Sequence, residues 1–317
     1  MAPAEMAPAR FELRAPAAKT VVMRGDLLGW ERDHPLKREA SGTWSLNVRV
    51  PRAARIEYKF VVDGVWQLDP RAPRGPNGLG GENSIWTGPE YRAVAPVQPP
   101  ARRNWGQTRT TLTSEEGYEF TVEMWRPPQD ARNMPVLIYN DGSGYAEHTQ
   151  LPNQVQNLVA SGQLPPVVLV LVTSPNRERD YWREPAPYLN FLQARLLPWV
   201  RQTTGAVARR ERTLIGGASL GGLISLRAAR TMPDTFGMVH AQSPSMWGEP
   251  ALAAAPELKR ARLAIDGGLF EGFPPVGDEL GRHQNVVLRQ DRPEGHTWSQ
   301  WRETVAPALK ELLRTQP

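Results

Sequence analysis

The stretch RTLIGGASLGGLISLRAARTM, residues 212–232, decides the fold. Its first half is short, apolar and closed by glycine, which predicts a buried strand. From Leu220 the apolar residues recur at helical spacing, which predicts a helix. Between the two stands Gly217-Ala218-Ser219-Leu220-Gly221, a G-x-S-x-G. A serine carried on so sharp a strand-to-helix turn needs small neighbours, because the turning backbone passes close to itself. The turn lifts the serine Oγ off the carboxyl edge of the sheet. The N–H of Leu220, at the helix N-terminus, then faces any oxyanion formed there. Ser219 is the candidate nucleophile and Leu220 the first oxyanion donor.

Outward from this turn, strand and helix signals alternate. PVLIYND (135–141), PPVVLVLVTS (165–174), MVHAQS (238–243), RARLAID (260–266) and NVVLRQD (285–291) read as strands. YLNFLQARLLPWVRQ (188–202) reads as one amphipathic helix, and TVAPALKELLRT (304–315) closes the chain as another. Near-continuous apolar strands between helices mean a mostly parallel sheet covered on both faces. With the G-x-S-x-G, residues 107–317 are expected to form an α/β-hydrolase domain. Residues 1–90 differ: short alternating runs such as WSLNVRV (44–50) and IEYKFVV (56–62), split by Ser41-Gly42 and Asp63-Gly64, predict an antiparallel β-sandwich. Residues 91–106 are Pro-rich and read as a semi-rigid linker.

Composition excludes several classes. The 317 residues contain no cysteine, so disulfides, thiolate metal sites and a cysteine nucleophile are ruled out. No run approaches the ~20 apolar residues of a membrane span, and the N-terminus lacks a signal-like apolar core. A cytoplasmic protein with no membrane partner is expected. The net charge of +5 comes from scattered arginines, not a basic stripe, so no nucleic-acid partner is expected. The mild positive field favours an anionic small substrate. Nothing calls for a cofactor or metal.

A serine hydroxyl needs a base. Of His34, His148, His240, His283 and His296, only the last two follow Ser219, as the order nucleophile, acid, base requires. His296 lies in the loop Pro-Glu-Gly-His after the last strand and is the candidate base. His283 precedes that strand, and His240 lies within a strand as a packed histidine. The acid belongs in the loop after RARLAID, where Asp266, Glu271, Asp278 and Glu279 are available. Glu271 is slightly preferred over Asp278, and the choice stays open on the residues alone. The loop after PVLIYND, Gly142-Ser143-Gly144-Tyr145, offers the second oxyanion donor, assigned to the N–H of Ser143. Gly142, Tyr145, Arg183 and Trp247 are the candidate substrate contacts.

The segments MPVLIYNDGSGYAE, SGQLPPVVLVLV, NRERDYWREPAPYLNFLQARLLPWV, RTLIGGASLGGLISLRAARTMPDTFGMVHAQSPSMWG and EGHTWSQWR together resemble the enterochelin esterases and their esterase D relatives. The resemblance spans about residues 105–315. It implies hydrolysis of a small ester, with an anionic ferric siderophore as the type of substrate, through Ser219 and His296. The family's G-x-x-E falls on Gly268 to Glu271, which raises Glu271 over Asp278. One departure touches the substrate: Tyr181-Trp182-Arg183-Glu184-Pro185 stands where the family reads closer to R-x-x-E-L, so the family's substrate-binding arginine is displaced or absent, with Arg177, Arg179 and Arg183 as candidate substitutes. The N-terminal text GDLLGW, GTWSLNVRVP, EYKFVVDGVWQLDP and NGLGGENSIW resembles family 48 carbohydrate-binding modules. That implies sugar contacts at Trp30, Lys59, Trp66, Leu79 and Asn83. The competing reading is a sandwich that shapes the active site, with the tryptophans as packing. A carbohydrate binder, or an esterase for feruloyl or acetyl sugars, is the alternative function.

Overall fold

Near the N-terminus, strand β1 (Met6–Arg14) buries every second residue, Ala7, Ala9, Phe11 and Leu13, as a half-buried strand must. The computed structural model describes residues 5–27, 29–78, 80–101, 104–271, 280–283 and 285–314. Strand β1 pairs antiparallel with β3 (Thr43–Pro51) in a three-stranded sheet. A second antiparallel sheet is built on β2 (Val21–Gly25), β4 (Arg55–Val62) and β5 (Glu82–Thr87). Phe11, Leu13 and Trp44 from the first sheet close one core with Val21, Met23, Ile56 and Phe60 from the second. This is the expected antiparallel sandwich.

The later part of the chain forms an eight-stranded sheet. Its strands are β6 (Gly106–Thr113), β7 (Glu119–Arg126), β8 (Val136–Asn140), β9 (Val168–Thr173), β10 (Thr213–Ala218), β11 (Met238–Gln242), β12 (Arg262–Gly268) and β13 (Val286–Arg292). Their spatial order is β6-β7-β9-β8-β10-β11-β12-β13. The β6/β7 and β7/β9 pairs are antiparallel; β9, β8, β10, β11 and β12 run parallel. Strands β8 and β10 are buried at every residue, which is why their sequences are continuous apolar runs. Helix α1 (Leu220–Thr231) follows β10 directly, and Leu223, Ile224 and Leu226 join Ile138, Val170, Ile215 and Val239 in the core. This is the α/β-hydrolase fold.

The run 188–202 is not one regular helix. Two α-helical pieces, Pro185–Phe191 and Leu197–Thr204, flank a π-helical turn at Leu192–Leu196. Pro198 lacks the N–H that would bond the preceding turn, so the ladder widens just before it.

The chain divides into two compact units. One holds Met1–Ala95, Gly268–Pro275 and Asp291–Gln300; the other holds Pro96–Gly267, Val276–Gln290 and Trp301–Pro317. Two segments from late in the sequence thus pack with the sandwich, a division that the linear boundaries 1–90, 91–106 and 107–317 do not express. Among the described residues, no helix is long and apolar enough to cross a membrane.

Candidate active site

Ser219 directly follows β10 and caps α1 with φ 59° and ψ −122°, a conformation that costs an L-residue of order 1–3 kcal/mol. The surroundings enforce it. The Ser219 N–H donates to the Gln242 carbonyl at 2.8 Å, and its own carbonyl receives the N–H groups of Leu223 at 3.0 Å and Ser245 at 3.1 Å. A Cβ on Gly217 would lie 2.5 Å from the Gly221 carbonyl, and one on Gly221 would lie 2.6 Å from Asp141 Oδ2. Gly217 is therefore sterically required, and a side chain at 221 would have to displace the Asp141 carboxylate. Ser219 is only partly buried, and its Oγ lies 3.3 Å from Ser245 Oγ. The N–H of Leu220, at the first position of α1, has no intrahelical carbonyl to bond and stays available for an anion.

The loop after β8 is also bent. Asp141 has φ 58°, and Arg177 grips its carboxylate with Nε at 2.9 Å and Nη2 at 2.8 Å. The N–H of Ser143 donates to Thr173 Oγ1 at 2.8 Å, so this expected oxyanion donor is already engaged. Gly142 is pressed against β9: a Cβ there would meet Val172 N at 2.8 Å. Tyr145, expected at the substrate, is wholly buried and gives its hydroxyl to Gln242 Oε1. Burial, with Tyr139 and Asp266 nearby, holds its phenol well above the ordinary range, so it remains a donor.

Gln242 joins these parts. Its carbonyl takes the Ser219 N–H, and its amide donates to Thr304 Oγ1 at 2.6 Å and Asp266 Oδ2 at 3.2 Å. Asp266 also faces His240 Nε2 at 3.2 Å, and His240 Nδ1 bonds the Tyr139 hydroxyl at 2.8 Å. Asp266 is thus committed to a buried network, and His240 is the packed histidine its strand position implied. A signal was present for this network, since His240, Gln242 and Asp266 interrupt otherwise apolar strands.

In the sandwich-bearing unit, His296 Nδ1 stands 3.4 Å from Glu271 Oε2. The Glu271 carboxylate is fixed from behind by the Gly268 N–H, 2.8 Å from Oε1. The two loops are laced together by Leu269 N–H to the Arg292 carbonyl, 2.8 Å, and Phe270 N–H to the Glu294 carbonyl, 3.1 Å. Glu271 is nearly buried while His296 is about one-third exposed, so the carboxylate backs an imidazole that faces outward. Asp278 and Glu279 lie outside the described residues.

The three candidate arginines all have carboxylate partners. Arg177 holds Asp141, Arg179 holds the buried Asp180 at 2.6 Å, and Arg183 pairs with Glu178 at 2.6 Å. Arg183 is the most exposed of them and stacks on Trp182, whose ring meets Trp247 edge-on with centroids 5.0 Å apart. Trp247 is 51% exposed and lies two residues beyond Ser245. In the sandwich, Asn83 is 5% exposed and donates to Glu57 Oε2 at 2.7 Å. The Trp30 indole donates to Asp26 Oδ1 at 3.2 Å. Both expected sugar contacts therefore spend their polar atoms on partners within the sandwich. Trp66 is 47% exposed under the Arg24 guanidinium, Lys59 is partly exposed, and Leu79 lies outside the described residues.

A putative esterase family model matches residues 114–268, covering the loop after β8 and the Ser219 turn. Over this segment the chain is similar to putative esterases. Iron(III) salmochelin esterase of Escherichia coli is 27% identical over 170 residues, 50% of this chain and 42% of the relative. Iron(III) enterobactin esterase of Escherichia coli is 27% identical over 242 residues, 69% of this chain and 58% of the relative. The chain thus spans about half the length of these curated relatives. The structure of an enterobactin esterase from Shigella flexneri, determined in the presence of enterobactin, superposes with TM-score 0.74 at 21% identity. That match covers 97% of this chain and 93% of the other, and it establishes the same fold over both parts. Residues 7–87 match a model of the glycogen recognition site of AMP-activated protein kinase.

Proposed function

We propose that this chain is a serine ester hydrolase acting through Ser219, His296 and Glu271 and an acyl-enzyme. The observation that carries the reading is the backbone of Ser219, strained at φ 59° in a turn with no room for a side chain at Gly217. A fold retains such strain where it presents a reactive group. The His296–Glu271 pair supports the rest, because a carboxylate beside Nδ1 leaves Nε2 as the proton acceptor.

In this mechanism Ser219 Oγ adds to the ester carbonyl while His296 takes its proton. The oxyanion is held by the N–H of Leu220 and, since Ser143 is engaged, by that of Gly142. Collapse expels the alcohol, protonated by His296. Water then adds to the acyl-enzyme by the same route and releases the acid. Glu271 keeps the imidazole oriented and stabilises its cation.

The substrate we assign is an anionic siderophore ester of the enterobactin and salmochelin type, cleaved in the cytoplasm. The named relatives support this class, as does the pairing of Trp182 and Trp247 with the exposed Arg183, which suits an aromatic anion. A substrate panel tests it. Ferric enterobactin should be opened faster than p-nitrophenyl acetate or a feruloyl sugar at equal concentration. Mass mapping after a fluorophosphonate probe should place the label on Ser219. A label elsewhere, or preference for the sugar ester, would overturn the corresponding part.

A further inference from the structure

We propose that Asp26 of the sandwich is a positioning residue for His296. The proposal rests on His296 being the base, and its test separates the two. Asp26 lies just beyond β2 and is 2% exposed. A Cβ built on Gly295, the residue before His296, would lie 2.1 Å from Asp26 Cγ and 2.2 Å from Oδ1. The Asp26 carboxyl is thus seated against the backbone that leads into the imidazole.

The carboxyl is itself immobilised. Its Oδ2 accepts the Glu57 N–H at 2.7 Å and its Oδ1 the Trp30 indole at 3.2 Å, while the Asp26 N–H donates to the Glu57 carbonyl at 2.9 Å. Glu57 is clamped between Arg55 Nη1 at 2.8 Å and Asn83 Nδ2 at 2.7 Å. The Arg55 N–H reaches the Pro293 carbonyl at 3.0 Å, so the same cluster grips the histidine loop at two points. Phe270, beside Glu271, packs against the sandwich core. Trp298 fills the space a Cβ on Gly78 would need, 2.4 Å from its Cδ1. These contacts recruit Trp30 and Asn83 to hold a loop instead of a sugar. Burial, and next the Glu57 carboxylate, push the Asp26 carboxyl up to about 8, partly offset by the hydrogen bonds from the Glu57 N–H and the Trp30 indole and, less, by Arg55. A mostly neutral Asp26 at pH 7 spares the loop a second buried charge beside Glu57.

The test is a substitution cycle on the full chain, assayed with p-nitrophenyl acetate well below the unfolding temperature. Gly295→Ala should drive a methyl into Asp26, tilt His296 and lower kcat about 100-fold with KM within about threefold. Asp26→Ala should lower kcat about tenfold and slow fluorophosphonate labelling of Ser219 in step. Combining the two should recover about tenfold over Gly295→Ala, since the methyl then has room. Asp26→Asn, of the same shape, should keep kcat within about threefold. Wild-type kcat in Asp26→Ala, or a double variant no better than Gly295→Ala, would overturn the proposal. If Gly295→Ala fails to fold, Asp26→Ala and its labelling rate decide alone. His296→Ala is the separating control: retained activity there sinks the base assignment, whereas its loss beside unaffected Asp26 variants sinks only the positioning role.

Discussion

The elbow at Ser219 and the loop at His296 present the two ends of one proposed proton transfer, yet they are built in opposite ways. The elbow is local: Gly217, Ser219 and Gly221 lie within five residues, and Gly217 passes so close to Gly221 that the turn has no room for a side chain at 217. The histidine loop is non-local. Its supports, Asp26, Arg55, Glu57 and Gly78, come from more than 200 positions earlier. A nucleophile can be written in a pentapeptide because backbone strain is a short-range property. A general base needs orientation in space, and orientation has to be supplied by whatever packs behind it.

Substitutions put this contrast to the test, and the largest effect belongs to the local site. Ser219→Ala should cost about 10⁴-fold or more in kcat while leaving circular dichroism and thermal unfolding unchanged. Retention of a tenth of the activity would remove Ser219 from the mechanism. Glu271→Gln comes next, with an expected loss of about 10²- to 10⁴-fold in kcat and little change in KM. Asp278→Asn should stay within about twofold, and the reverse order would move the acid to Asp278.

How much of this was legible follows the same line. The sandwich, the parallel sheet and the strand-to-helix turn at Ser219 could be read because period, glycine spacing and chain order are properties of neighbouring residues, whereas the preference for Glu271 over Asp278 came from the family resemblance. The partner that Ser143 N–H takes, Thr173 Oγ1, could not be read locally because it sits on another strand. Tyr145 looked like a pocket residue from its loop, but Gln242 draws it inside. Nothing in GDLLGW marks Asp26 as the seat of a loop near residue 295. The π-helical turn before Pro198 had a local signal, the proline itself, inside a periodic run.

A smaller, pH-dependent effect probes the non-local site. The Asp26 carboxyl titrates near 8 when folded against 3.8 as its ordinary value. Between those values the folded protein keeps a proton that the unfolded chain has released. This contribution to stability is whole below about pH 4 and declines as pH rises toward 8, by at most about 1.4 kcal/mol per unit. Asp26→Asn removes the titration, so its melting temperature relative to wild type should climb from pH 5 to pH 8. A difference that stays flat would mean that the carboxyl is not titrating from a buried site. The smallest expected effect is on sugar: with Asn83 and Trp30 turned to internal partners, the intact protein should show no retention on glycogen, and Trp66→Ala should change nothing. Retention abolished by Trp66→Ala would restore a carbohydrate platform.

The way the two units share the chain has a consequence for its synthesis. The sandwich-bearing unit takes its first strand from residue 6 and its last segment from Asp291–Gln300. At about 5–20 residues per second, roughly 15–60 s separate those ends on the ribosome. Until those late residues are made, Gly78 lacks Trp298, and Asp26 lacks the backbone of Gly295. The unit made first is therefore among the last to be finished, and the nascent sandwich must wait with its loop-binding face uncovered.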